Sequence, residues 1–355
     1  MDSSRDITLY IPFFQADATI QACLEGVWNQ TLQPTRILVI DDGSPIPFSD
    51  SRVETLRHAQ NQGLAAARNT ALAACRTPWM AALDADVVPE SDWLEQLAAD
   101  MQLNDLAGVG GCLREHYQTA IADRWRARHM AQHWGSDRIV NPRFLYGANT
   151  LFKTEAIRAV GGYDRSLRTN NEDRTLCEAL RAHGQSLAYV PGAVCRHLRQ
   201  DTCQTILSGY WKWHHTRGLK EGEFDSWKGV IGRIENVNFG IFKYRFDWDQ
   251  RESLKEFLAL DASIPWVFGC QDLKFFTQRI GLQAGVFPPP DLGAQWPVHL
   301  LNPSDRLTAP PEAQNPEFND YCRTFSRCLE SCGWSEIRER TDIWEPLIRE
   351  LGGGV

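Results

Sequence analysis

The first hundred residues alternate between two hydrophobic periods. Ile7-Thr8-Leu9-Tyr10-Ile11 is a short β-rich run closed by Pro12. Residues 19–29 follow with apolar positions at helical spacing: Ile20, Cys23, Leu24, Val27 and Trp28. A second apolar run, Arg36-Ile37-Leu38-Val39-Ile40, stops at Asp41-Asp42-Gly43-Ser44, and a polar helix is expected over 50–59. Gly63 opens an alanine-rich helix through Cys75. Trp79-Met80-Ala81-Ala82-Leu83 is a third buried run ending at Asp84-Ala85-Asp86, and Pro89-Glu90 opens a helix to Met101. Strand and helix in regular order predict an α/β fold, a mostly parallel sheet with helices on both faces. Ligands of such sheets lie beyond the carboxyl ends of the strands. The polar ends at Pro12–Phe14, Asp41–Ser44 and Asp84–Asp86 should therefore converge on one crevice.

The middle of the chain is mixed. Val109–Leu113 and Phe144–Phe152 read as strands, the second broken by Gly147, and 118–133 as a helix. Gly161-Gly162-Tyr163-Asp164 is a turn. Asn171 is positioned as the N-cap of a helix over 172–183 that Gly184 ends, before a short strand Leu187–Val190. Past residue 200 the strands cease. Helices are expected over 202–217, over 250–280 and within 317–350. The stretch 286–316 is Pro-rich and reads as a linker, and Gly352-Gly353-Gly354 as a frayed end. The division is placed at 1–220 and 221–355, the second part mainly helical and acceptor-related.

Composition narrows the classes. At roughly 150 residues per domain, 355 residues give about two domains. Ten cysteines without a Cys-x-x-Cys pair read as buried thiols rather than a zinc ribbon or disulfide scaffold. The polar start, Met1 to Asp6, lacks the apolar core of a signal peptide. No run approaches the ~18 apolar residues of a membrane span. The expected location is cytoplasmic, with peripheral membrane contact left open. A net charge of −8 argues against a general nucleic-acid binder. Residues 114–200 nevertheless carry 14 Lys and Arg against 8 Asp and Glu. Such a basic segment suits an anionic small ligand, although on charge alone solvated helix faces are the plainer explanation.

Several short motifs carry candidate chemistry. Asp84 and Asp86, two apart after a buried strand, can offer hard oxygen ligands to Mg²⁺ or Mn²⁺; loop polarity is the plainer explanation. Asp42, in the Asp41–Ser44 turn, can accept from a nucleobase N–H or simply close an Asx-turn. Glu172-Asp173 opens a helix, where acids are favoured by the dipole; functionally, Asp173 is a general base with Glu172 beside it. His197 gains weight as a metal ligand only if Asp86 is near. Trp211, Trp213, His214 and His215 form either a sugar-stacking surface or a core face.

In this order the motifs resemble glycosyltransferase family 2, the inverting group with the GT-A fold, from Ile7 to Arg217. Ile11-Pro12-Phe13-Phe14-Gln15 is similar to its opening strand end, with Gln15 where Asn is usual. Val27-Trp28-Asn29-Gln30-Thr31 is similar to its Asn-Gln-Thr helix end. Val39–Ser44 is similar to its base-binding turn, and Asn61-Gln62-Gly63-Leu64-Ala65-Ala66-Ala67-Arg68-Asn69 to its following helix. Leu83–Asp86 looks like its metal motif. Gly147-Ala148-Asn149 and Gly161–Asp164 look like its sugar and acceptor loops, and Asn171-Glu172-Asp173 like its base motif.

The resemblance implies a GT-A, Rossmann-like sheet with a helical C-terminal extension. It implies a non-processive transferase that moves a sugar from a nucleotide-diphosphate sugar, UDP first, to a glycan, lipid-linked or protein acceptor. Pro12 and Phe14 would face the nucleobase with Asp42. Arg68 would help hold the nucleotide, and Asp84 and Asn149 the donor. Asp86 and His197 would hold Mn²⁺ or Mg²⁺, and Asp173 would be the base. The Gln-x-x-Arg-Trp signature of processive synthases is absent; Tyr210-Trp211-Lys212-Trp213 stands in its region. The rival classes are a GT-A module that binds nucleotide-sugar or glycan without turnover, and a sugar nucleotidyltransferase. The latter expects a Gly-rich basic loop after the first strand, where this chain has Phe13-Phe14-Gln15-Ala16-Asp17.

Overall fold

The structure, a computed structural model, describes residues 6–281 and 316–351. They form two compact units. The first holds residues up to Tyr117 together with Ala127–Gln200. The second holds Gln118–Arg126 and the described residues from Asp201 on.

The first unit is built on a nine-stranded sheet. Its strands are β1 (Ile7–Phe13), β2 (Arg36–Asp41), β3 (Glu54–Arg57), β4 (Trp79–Leu83), β5 (Val87–Pro89), β6 (Gly108–Glu115), β7 (Ile139–Val140), β8 (Asn149–Lys153) and β9 (Leu187–His197). The order is β3-β2-β1-β4-β8-β6-β9-β5, with β7 on β9. β3, β2, β1 and β4 run parallel, as do β6 and β9, while β5, β7 and β8 oppose their neighbours. This is the mixed, mostly parallel sheet that the alternating periods predict.

Alternation along β1 sends Ile7, Leu9 and Ile11 to one face and Tyr10 to the other. On the first face they meet α1 (Ile20–Trp28) and α3 (Trp93–Leu103). On the second lie α2 (Leu64–Ala74), α5 (Thr154–Ala159) and α6 (Glu172–Ala182). Helix α4 (Ile121–His129) begins in the second unit. Alanines at 65, 67 and 71 let α2 sit close on the sheet.

Local expectations fail where a sheet edge decides. The polar helix expected over 50–59 is instead a turn and strand β3, paired in parallel from Leu38↔Glu54 to Asp41↔Arg57. Arg36 clamps it bidentately through Glu54. Edge strands need only one apolar face, so the polar composition misled. The strand expected from Phe144 starts only at Asn149, and the one expected to end at Val190 runs on through Pro191-Gly192 to His197.

The second unit is helical: α7 (Cys203–Lys220), α8 (Trp227–Arg233), a π-helical turn Ile234–Phe239, α9 (Gly240–Arg251), α10 (Lys255–Arg279), α11 (Pro316–Ser331), α12 (Trp334–Glu339) and α13 (Thr341–Glu350). Helix α10 is buried on all sides from Phe257 to Leu273 and so forms the unit's axis. The sequence divides the chain near 220, whereas the packing divides it at Gln200, because α7 packs on α10. Arg126 and Asp201 pair at 2.6 Å within this unit. Trp211 donates to Asp272 at 2.8 Å and stacks on His215 at 4.2 Å, so in the Trp- and His-rich segment these two side chains pack within the unit, with His215 buried. All ten cysteines are free thiols, eight of them buried. Among the described residues no helix is long and apolar enough to cross a membrane. The Pro-rich stretch, apart from Pro316, and the terminal glycines lie outside the described residues.

Candidate active site

The carboxyl ends of β1, β2 and β4 open into one groove of about 710 Å³ in the first unit. Pro12 and Phe14 line it beside Asp42, Asp84 and Asp86, with Thr169 and Arg199 on its other walls. Phe14 is 45% exposed, an aromatic ring facing solvent at the groove, while its neighbour Phe13 is buried against Phe48.

The Asp41-Asp42 turn is wired more completely than its sequence suggests. Asp41 is buried and accepts from the Ser44 and Phe48 N–H groups and from Arg57. Those bonds hold its carboxyl below the usual range against the cost of burial. Asp42 Oδ1 takes His58 Nδ1 at 2.6 Å and the Gln62 N–H at 2.9 Å. Its Oδ2 takes the Asn61 amide at 2.9 Å and the Gly63 N–H at 2.8 Å. A carboxylate has about four acceptor sites, and here all four go to the protein. Asp42 therefore folds the 58–63 loop around itself, and a base N–H has to displace one of these donors. Gly63 sits at φ +96, and a Cβ added there would lie 2.7 Å from Arg168 O, so the position is closed to other residues.

Arg68 organises the centre from beneath. It is 1% exposed and does not reach the groove. Its Nη1 donates to Tyr10 Oη and to the Gly147 carbonyl, its Nη2 to Asp84 Oδ1 at 3.1 Å, and its Nε faces Glu172 Oε1 at 3.4 Å. Burial raises the Asp84 carboxyl although Arg68 opposes it. Glu172 is also raised by burial and by its neighbour Asp173, against Arg68. Asp173 is raised by burial too, but two backbone donors support its charge: Gly147 N–H on Oδ2 at 3.0 Å and Arg174 N–H on Oδ1 at 2.7 Å. The dyad's negative charge thus belongs on Asp173, and Glu172 is its buried neighbour. Asn171, in the N-cap position, adopts left-handed φ +68 and makes no side-chain cap.

Asp86 and His197 do meet. Val87 pairs with His197 across β5 and β9, and His197 Nε2 lies 3.3 Å from Asp86 Oδ2. The other ring nitrogen, Nδ1, lies 3.0 Å from Glu115 Oε2. Burial disfavours the charged ring, but Asp86 and Glu115 outweigh it and hold the imidazole up to about 9. A carboxylate oxygen and an imidazole nitrogen, with a second carboxylate behind the ring, fit the donor set and outer shell of Mn²⁺ or Mg²⁺. Asp84 and Asp86 stay about one-third exposed, so a cation can be reached from the groove.

Asn149, like Arg68, is a sequence-predicted contact that stays out of the groove; Glu172, Asp173 and His197 do not line it either. Asn149 is fully buried, accepts from Trp93 Nε1 at 2.6 Å and donates to the Cys112 and Ala193 carbonyls. Its polar head stitches strands instead of touching a donor. Conversely, Glu115 carries no sequence signal, and Arg199 only its share in the basic 114–200 segment. The register of β6 and β9 brings in Glu115, and the groove wall Arg199.

The sequence profile described as Glycosyl transferase family 2 matches residues 8–163. A pre-mycofactocin glycosyltransferase of Mycobacterium tuberculosis is 32% identical over 209 residues, 55% of this chain and 43% of that protein. Glycosyltransferase AglE of Haloferax volcanii is 31% identical over 202 residues, 54% of this chain and 66% of that protein. Among solved structures, GalNAc-T7 with UDP, GalNAc and Mn²⁺ superposes with a TM-score of 0.46 at 15% identity, over 56% of this chain and 45% of that one. The chain spans less than half the length of the mycobacterial relative. Residues 8–163 thus carry a glycosyltransferase family 2 domain.

Proposed function

We propose that this chain is an inverting, non-processive glycosyltransferase that uses a nucleotide-diphosphate sugar, UDP-linked first, and a glycan, lipid-linked or protein hydroxyl as acceptor. The observation that carries the reading is that Phe14, Asp84 and Asp86 line one groove, while Arg68 ties Asp84 to the Glu172-Asp173 dyad. That arrangement supports reading the groove as the donor site and the dyad as the neighbouring base.

Phe14 offers its face to the nucleobase, beside Pro12. Arg68 holds Asp84 toward the donor sugar without touching ligand. Asp173, its charge supported by two backbone N–H groups, takes the proton of the acceptor hydroxyl. The acceptor oxygen then attacks the anomeric carbon opposite the leaving diphosphate, and one displacement inverts the centre. Asp86 and His197 are the residues that would hold a divalent cation, which when bound offsets charge on the leaving diphosphate. Arg199 adds positive charge to the same wall.

The test is a thermal-shift panel of UDP-, GDP- and dTDP-sugars with Mn²⁺, followed by a donor-hydrolysis assay. A donor at 100 times its dissociation constant adds about 2.7 kcal/mol. Stabilisation by one donor class with slow hydrolysis is expected. Stabilisation without any turnover, with or without added acceptors, would favour the binding-module reading instead.

A further inference from the structure

Glu115 stands where it does because of a break in register. From Gly108↔Leu187 to Gly111↔Val190, β6 and β9 pair at a constant offset; then Cys112 pairs with Val194. Pro191, Gly192 and Ala193 are the inserted residues. With the first offset Glu115 would face Val194; after the break it faces His197. Gly111 makes the break sterically feasible, since a Cβ there would lie 2.0 Å from the Ala193 carbonyl oxygen. Asn149 pins both sides of it through the Cys112 and Ala193 carbonyls. Bulges of this kind re-aim side chains beside active sites.

The backbone of His197 is fixed as well. Its carbonyl accepts from the His116 N–H at 2.9 Å, and the next residue, Leu198, donates to the Asp86 carbonyl at 2.7 Å. The ring is thus set between two carboxylates: Nδ1 lies 3.1 Å from Glu115 Oε1 and 3.0 Å from Oε2, and Nε2 faces Asp86. The Glu115 side chain is only 5% exposed, so it serves the ring rather than a ligand.

We infer that Glu115 is the positioning residue of the cation centre. It accepts the Nδ1–H of His197 and keeps that proton in place, so that a cation arriving on the Asp86 side replaces the proton on Nε2 and takes its lone pair. The inference rests on the proposed reading of Asp86 and His197 as cation ligands.

The experiment titrates Mn²⁺ alone into the full chain and follows the free-ion EPR signal for wild type, Glu115→Leu, Glu115→Gln, Glu115→Asp and His197→Ala. Glu115→Leu should bind about 10–100-fold more weakly, the usual cost of losing an outer-shell partner. Glu115→Gln should stay closest to wild type, because its amide oxygen still accepts from Nδ1–H. With Mg²⁺ in place of paramagnetic Mn²⁺, nitrogen-15 shifts of His197 should report a protonated Nδ1 and a deprotonated Nε2 in wild type, and a mixture of protonation patterns in Glu115→Leu at the same Mg²⁺ concentration. Wild-type affinity in Glu115→Leu, alongside loss in His197→Ala, would overturn the role of Glu115 and leave the cation reading standing. No Mn²⁺ binding by wild type would overturn both. If the Leu variant fails to fold, Gln is compared with Asp, whose shorter arm should forfeit the contact; equal affinities for those two would overturn the inference.

Discussion

Arg68 reaches Asp84 from behind the strand end, with Nη2 3.1 Å from Oδ1, while its own guanidinium is buried from solvent. A motif residue that reads as a ligand contact here supports Asp84 from the protein side. Its other nitrogens meet Tyr10, Gly147 and Glu172. Arg68→Met should therefore leave buried acids uncompensated and cost about 3–5 kcal/mol. Arg68→Lys should recover little, since one ammonium cannot replace the planar fork. Chemical denaturation of the three proteins measures both effects. A change of a few tenths of a kcal/mol for Met would show that the cluster rearranges freely.

Asp173→Asn should slow transfer by about 10²–10⁴ while leaving nucleotide binding intact, because the backbone donors and the groove stay in place. Single-turnover rates with calorimetry on the same samples separate the two. Near-wild-type turnover removes Asp173 as base.

Asp86→Ala should weaken UDP binding in the presence of Mn²⁺ and leave metal-free binding close to wild type. Paired calorimetric titrations with Mn²⁺ and with chelator report the difference. Equal affinities for wild type and variant in both buffers would remove Asp86 from the cation site.

Gly111→Ala should destabilise the first unit by about 1–3 kcal/mol, the range for overpacking a tight site. The new methyl would meet the Ala193 carbonyl and the Asn149 amide, both within 2.7 Å. Gly135→Ala is no control, because Gly135 has φ +101. Gly192→Ala is one: its nearest neighbour to a new Cβ is Gln96, at 3.7 Å. Thermal midpoints of the two variants should diverge, and coincident midpoints would show that the bulge yields.

Acid should weaken the second unit through His215. Its ring stacks on Trp211, meets Phe224 and Phe275 edge-on, and leaves Nδ1 without a hydrogen bond. Burial first, and Arg233 second, push it down to about 4 from 6.5. Above pH 6.5 both folded and unfolded rings are neutral, so there is no penalty. As pH falls from 6.5 toward 4, the unfolded chain takes the proton and the folded one does not. Stability should drop by up to about 3 kcal/mol over that window. His215→Phe should flatten that part of the pH–stability curve relative to wild type. Parallel curves would show that the ring does not titrate in isolation from its partners.

Much of the centre was legible along the chain because it sits at strand ends. Buried runs such as Trp79–Leu83 must stop where the sheet stops, and polar residues placed there must face the crevice. That logic located Pro12, Phe14, Asp42, Asp84 and Asp86 on one groove. It also put Asp173 at the start of a helix. Edge strand β3 escaped it, since a strand buried on one side needs no apolar run.

Hydrophobic period and turn chemistry, both local, were enough to set the α/β order, the crevice and the acids around it. Only the folded chain decided which polar groups face ligand and which face protein. Asp42 turned out saturated, Arg68 and Asn149 buried, and His197 paired with Glu115. Those outcomes depend on register and packing between segments far apart in sequence. A three-residue slip in β9 changes every neighbour after it, and no pattern along either strand alone records that slip.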